Sequence, residues 1–173
     1  MNTSTNRLDG PRLKVLWAAK NIRHLDGMVK HFCEANRNVF RVEDDLQAGE
    51  KVYCVDFRTP IPYDIPLIIG DVIHNLRSSL DHLAWQLVEA NGGTPTKQTY
   101  FPIYSDAARF QAESVRKLHG MSAAVVKLIE AVQPYHSAYQ NLRALSDLDN
   151  WDKHRLLLER VFKVCFVEPV FVT

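Results

Sequence analysis

Residues 65–91 read IPLIIGDVIHNLRSSLDHLAWQLVEAN and hold more acid, base and hydrogen-bonding groups than solvation of one helix face requires. At about 100° per residue, Asp71, Asn75, Ser78 and His82 share an arc of about 60°, with His74 and Asp81 on a neighbouring line and Arg77 at the margin. Separations of three and four residues let such side chains touch. An imidazole beside a carboxylate has its tautomer fixed and its charged form favoured, which prepares a general base or a metal ligand. The same residues also suit a hydrogen-bonded polar seam, or the wet face of an amphipathic helix, with no chemistry at all.

A second polar set lies in residues 145–160, LSDLDNWDKHRLLLER, with Asp147, Asp149, Asn150, Asp152, Lys153, His154 and Arg155. On a helix Asn150 and His154 are one turn apart, and Asp147 lies a further turn back on the same side. If the two helices are neighbours, His74 or His82 meets Asp147 or His154 between them. Di-metal bundles use Glu-x-x-His on two helices. Asp71-x-x-His74 is the nearest approach here, so no metal and no cofactor is assigned. The chain also lacks a Gly-rich phosphate loop, a nucleophile elbow and a Cys/His catalytic signature.

The run Arg77-Ser78-Ser79-Leu80-Asp81-His82 resembles the hallmark of the HEPN superfamily, an arginine and a histidine a few residues apart on a helical-bundle scaffold. The resemblance covers the central helix and the helical layout around it. It implies a metal-independent endoribonuclease or RNA-binding protein, of a toxin or phage-defence kind, working as a homodimer whose two motifs face each other across a cleft. Carried over, Arg77 holds the phosphate, His82 is the general acid or base, and Ser78 is the polar residue that follows the arginine. Such a pair needs no metal, because the imidazole moves the proton and the guanidinium steadies phosphate charge. Five positions on a regular helix place Arg77 and His82 about 140° and roughly 7.5 Å apart, so a shared site requires a bend or the partner subunit.

Two other readings stand beside this one. The first is a non-catalytic bundle that mediates assembly, in which Asp71, His74, Asn75, Asp81, Asp147, Asp152 and His154 form a structural seam. The second is a metal-dependent bundle enzyme.

The elements that must position these residues follow from periodicity. The apolar residues Val72, Ile73, Leu76, Leu80, Leu83 and Leu87 form the buried face of the central helix, which Asp64 caps, Pro66 opens and Asn91, Gly92 and Gly93 end. A first helix is predicted over 11–36, burying Leu13, Leu16, Trp17, Ile22, Leu25, Met28, Val29 and Phe32. His24 and His31 read as packing residues beside that stripe. Residues 38–58 alternate as a β-hairpin. Tyr100, Phe101, Pro102 and Ile103 form an apolar anchor. Trp85, Trp151, Tyr100 and Phe101 read as core or interface. Further helices are predicted over 105–118, 122–132 and 140–160, then a C-terminal strand.

The fold class is therefore mainly α (α+β): an antiparallel helical bundle with a β-hairpin and a C-terminal strand. Residues 1–10 form a flexible N-terminus and residues 11–173 a single domain. At 173 residues the chain buries a core without disulfides or metals. Its 46% hydrophobic and 24% charged content is globular. A net charge of +1 leaves any RNA contact to a local patch. The three cysteines are unpaired in spacing and read as reduced, buried thiols. No apolar run reaches the roughly 18 residues of a membrane span, and the N-terminus lacks a signal-peptide core, so a cytoplasmic location with no membrane partner is predicted.

Overall fold

The computed structural model describes the backbone of residues 6–36, 40–45, 50–55, 60–153 and 165–169, and the side chains of 6–36 and 60–153. The described residues are mainly helical. Two 27-residue helices, α1 (Asp9–Ala35) and α2 (Asp64–Ala90), pack along each other. Three shorter helices follow, α3 (Ala107–Glu113), α4 (Ala123–Ala131) and α5 (Asn141–Asp152). The backbone segments β1 (Phe40–Asp45), β2 (Glu50–Val55) and β3 (Cys165–Pro169) pair antiparallel in the order β1-β2-β3, with Val42 opposite Tyr53 and Val52 opposite Val167. No described helix is long and apolar enough to cross a membrane.

α2 forms where the sequence predicts it. Pro66 sits in the first turn, where its missing N–H costs nothing. Gly92 adopts φ 77° just past the end, and the Gly92 and Gly93 N–H groups close on the carbonyls of Glu89 and Val88 at 3.0 Å each. Asp64 is not a cap. It lies within the first turn behind Tyr63, which makes no side-chain cap, at a position where negative charge suits the positive helix end. α1 starts two residues before Pro11. Asn6 accepts from the Leu8 N–H at 3.0 Å while Asp9 accepts from the Asn6 N–H at 2.9 Å, which closes the first turn locally. The region predicted as a loose N-terminus is thus helical from Asp9.

The buried face of α1 differs from the predicted stripe. Ala18 is fully buried, and Leu25, Met28 and Phe32 pack against Ile61 and Ile65. Leu13, Leu16, Trp17, Ile22 and Val29 are exposed, Leu16 by 64% and Trp17 by 50%. The inward line runs through Pro11, Lys14, Ala18, Asn21, Leu25, Met28 and Phe32 at steps of three and four, and counting large apolar residues passes over its small and polar members. Ala18 lets the two helices approach closely, which leaves the bulkier residues outside. His24 and His31 are also exposed.

Contacts fix the directions. Gly10 at the start of α1 lies beside His82 near the end of α2, while the end of α1 packs on Ile65 at the start of α2, so the pair is antiparallel. The second half of α2 seats Ala84 in a core with Phe101, Tyr104, Phe110, Leu118 and Ile129. Tyr104 meets Phe110 edge-on, with centroids 6.3 Å apart. α3 is shorter than predicted, ending at Glu113 and continuing as turns to Leu118. α4 starts at Ser122, whose hydroxyl accepts from the Val125 N–H, as a cap should. α5 is described to Asp152, and the rest of the helix predicted to residue 160 lies outside the described residues apart from Lys153, which is a turn.

Candidate functional site

Four residues separate Arg77 from Asp81, one turn of α2, and the two side chains meet as that spacing permits. Arg77 Nη1 donates to Asp81 Oδ1 at 2.7 Å, and Arg77 Nη2 donates to the Phe101 carbonyl at 3.0 Å. The Phe101 N–H returns to Asp81 Oδ1 at 3.0 Å, closing a three-membered clamp between helix and loop. The guanidinium is largely buried, with a side-chain exposure of 16%. A partly buried pair with both charges hydrogen-bonded is costly to break from one side. Asp81→Ala is therefore expected to lower unfolding free energy by about 2 kcal/mol, with Asp81→Asn losing about half as much because its carbonyl still accepts from Phe101. Urea melts check this, and an Asp81→Ala loss under about 0.5 kcal/mol would remove the clamp's structural role.

The clamp holds one wall of a cavity of about 490 Å³. α2 contributes Asp81, His82, Trp85 and Gln86, positions that share a helical face, and the loop after α2 contributes Thr96, Lys97, Thr99 and Tyr100. Glu89 fixes two of these side chains: the Trp85 indole N–H donates to it at 3.0 Å and the Gln86 amide at 2.9 Å. The loop is tied by its own threonines. The Thr96 N–H donates to Thr99 Oγ1 at 3.0 Å, the Thr99 N–H to the Thr96 carbonyl at 2.9 Å, and the Gln98 N–H to Thr96 Oγ1 at 3.2 Å. Thr99 is buried and anchors the turn that carries Lys97.

His82 is exposed at the rim. Among the described residues its imidazole and the Lys97 ammonium make no hydrogen bond or ion pair, so both are available to a ligand. Gly10 approaches so closely that a Cβ there would lie 3.4 Å from His82 Nδ1, which makes the start of α1 a neighbour of the site. Arg77 and Ser78 do not line the cavity. Arg77 is turned to the loop carbonyl, as the divergence of positions five apart on a helix requires.

The second polar set makes a different place. His74 Nδ1 lies 3.5 Å from Asp149 Oδ1, and Lys153 Nζ lies 2.6 Å from Asp149 Oδ2. Asp149 is buried, so the Lys153 ammonium compensates a carboxylate taken out of water, with the His74 imidazole beside it. Asp152 approaches Gly70, where an added Cβ would come within 2.6 Å of its Oδ2. The α2–α5 seam therefore exists, but it is built on His74, Asp149 and Asp152. Asp147 faces outward and pairs with Arg143 at 3.3 Å. Asn75 turns back to the Asp71 carbonyl at 2.7 Å, and Asp71 is exposed. His154 lies outside the described residues. Among those residues no three His, Cys, Asp or Glu side chains gather as a metal-holding group.

The cavity contains members that the sequence reading assigned elsewhere, and the seam uses Asp149 where Asp147 or His154 was expected. Trp85 and Tyr100, read as core or interface, are 41% and 46% exposed and line the cavity. Positions 81, 82, 85 and 86 of α2 share that face, but only the loop's return identifies it. Asp149 continues the Leu142 and Leu145 spacing of α5, which was the available signal for its burial. Cys33, predicted as buried, is exposed. Outside both places, the buried Tyr135 hydroxyl has no hydrogen-bond partner among the described residues. Burial raises its pKa above the usual phenol value, and Glu130 and Asp106 add to the effect. Comparison with protein-family models, curated proteins and solved structures finds no match for the chain.

Proposed function

We propose that the chain is a HEPN-like, metal-independent endoribonuclease or RNA-binding protein, of a toxin or phage-defence kind, acting as a cytoplasmic homodimer. The observation that carries this reading is an unpartnered His82 at the rim of a cavity that also holds two aromatic rings and a lysine. In the reaction, one His82 takes the proton of a ribose 2′-hydroxyl, the 2′-oxygen bonds to phosphorus, and the bond to the 5′-oxygen breaks. The second subunit's imidazole protonates that leaving oxygen, leaving a 2′,3′-cyclic phosphate. Arg77 enters as a positioning residue, because its guanidinium is committed to Asp81 and the Phe101 carbonyl. In this reading the hairpin and the terminal strand belong to the same α+β bundle domain. RNA cleavage in excess EDTA by the parent, lost in His82→Ala, is the deciding experiment.

The dimer rests on α1. Leu13, Leu16 and Trp17 form an exposed apolar flank, continued by a groove in which Leu8, Val15 and Leu16 face Leu80 and Leu83 of α2. Gly10 at the start of α1 neighbours His82, and the two-imidazole scheme requires that a second copy seated on α1 bring the two His82 side chains towards each other. Light scattering is expected to give the dimer mass for the parent and the monomer mass for Leu16→Asp. A monomeric parent would leave each His82 alone and end the two-imidazole scheme.

A second reading is kept because the same exposed flank also suits a non-catalytic assembly protein, with the His74, Asp149 and Lys153 seam serving only to join α2 to α5. Dimerisation without RNA cleavage or binding would favour it. The metal-dependent reading has no ligand group among the described residues to start from.

A further inference from the structure

We infer that the cavity beside His82 is a subsite for one unpaired nucleotide, in which Trp85 and Tyr100 hold the base and Lys97, in place of Arg77, binds the phosphate. The inference deepens the ribonuclease reading and rests on it only for the choice of RNA as the nucleic acid.

The chemistry of the lining is that of a stacking platform with one cation. Two large aromatic side chains, each about half exposed, face one cavity of about 490 Å³, which is room for a single nucleotide and too little for a duplex. Stacking of bases on such rings is tolerant of sequence, since every base has a π-face. The Trp85 ring is held in advance, because its indole N–H is bound to Glu89. A platform fixed before binding loses little side-chain entropy when the base arrives.

The charges also select a phosphate. Asp81 lines the cavity, but its Oδ1 already accepts from Arg77 and from the Phe101 N–H, so its charge is matched within the clamp. Lys97 sits on the threonine-tied turn with no anionic partner among the described residues, which leaves a positive charge among the lining residues, while the Glu89 carboxylate that holds Trp85 and Gln86 does not line the cavity. An ammonium acts as a point charge for phosphate without needing the planar geometry that an arginine uses. His82 on the α2 side and Lys97 on the loop side thus flank the place where a scissile phosphate would lie.

The probe is a short, unstructured, fluorescein-labelled 2′-O-methyl oligoribonucleotide, which His82 cannot activate, free or annealed to its complement. Anisotropy is expected to show the single strand bound at least tenfold more tightly than the duplex. Trp85→Ala and Tyr100→Ala should each weaken single-strand binding by about tenfold. Lys97→Ala should weaken it and make the salt slope shallower by about one, whereas Lys97→Arg should restore the slope. All three positions are surface-accessible, and circular dichroism of each variant checks that it folds. If the three alanine variants bind like the parent, or if the duplex binds as well as the single strand, the subsite is overturned even when His82→Ala abolishes cleavage. If the variants lose binding while the parent cleaves no RNA in EDTA, the subsite stands and the ribonuclease reading falls.

Discussion

Gln133→Ala is expected to destabilise the protein by about 4 kcal/mol, from unpaired polar groups and a new void together. Gln133 is fully buried and spends its amide on the backbone of the loop that follows α2. Its Oε1 accepts from the Tyr104 N–H at 3.0 Å, and its Nε2 donates to the carbonyls of Pro102 at 2.9 Å and Ile129 at 3.0 Å. Truncation strands a buried N–H and two carbonyls in a dry core, and each stranded group costs about 1–3 kcal/mol when it cannot relax to water. At about 2–4 °C per kcal/mol for a chain of this size, the melting temperature should fall by about 8–16 °C. Gln133→Met keeps most of the volume and removes the hydrogen bonds, so it separates the two contributions and should retain about half the loss. Denaturant melts of both variants read the result. A Gln133→Ala loss below about 1 kcal/mol would mean the loop reaches water or repacks.

The loop is therefore held at two successive points, by Asp81 and Arg77 at Phe101 and by Gln133 at Pro102 and Tyr104. Between its buried threonine and Phe101 the chain has little freedom, and Tyr100 is carried to the cavity by backbone that packing has already fixed. The rigidity that sets the site is thus located in the core beneath it, as a preformed binding surface requires.

Much of this was legible along single helices and little of it across them. Residues 65–91 announced α2 through apolar period, Pro66 and the terminal glycines, because those signals are local. Arg77 and Asp81 stand one turn apart, a spacing that permits their contact, but the sequence reading placed Asp81 beside His74 and assigned Arg77 to phosphate. That Arg77 would take the Phe101 carbonyl was not legible, because the partner lies 24 residues away and is a backbone oxygen that any residue type supplies. The face of α1 misled for a related reason: helix packing selects the side that permits close approach, which Ala18 provides, over the side richest in leucine. Gln133 carried no signal, since a glutamine before Pro134 reads as an ordinary surface residue until three backbone partners surround it. Asp149 was named within its polar set, but its pairing with His74 depended on the axial offset of α5 along α2, which no intrahelical spacing determines.

His82→Ala should reduce RNA cleavage in EDTA by about 10²–10⁴-fold while changing stability by less than about 0.5 kcal/mol. The contrast with Gln133 is the point of the variant: His82 is exposed and has no described hydrogen bond to lose, so a large loss of rate cannot come from unfolding. Binding of the 2′-O-methyl strand should persist, because Trp85, Tyr100 and Lys97 remain. Mixed dimers then test whether one imidazole or two are needed. If each His82 works alone, a dimer with one parent and one His82→Ala subunit keeps about half the parent rate, since one of two independent sites survives. If one imidazole takes the 2′-proton and the partner's protonates the 5′-oxygen, the mixed dimer loses about as much as the double variant, because every turnover requires both. A His82→Ala protein that cleaves at the parent rate would withdraw the acid–base role from this residue and leave Arg77 and Asp81 as what their geometry makes them, a clamp on a loop.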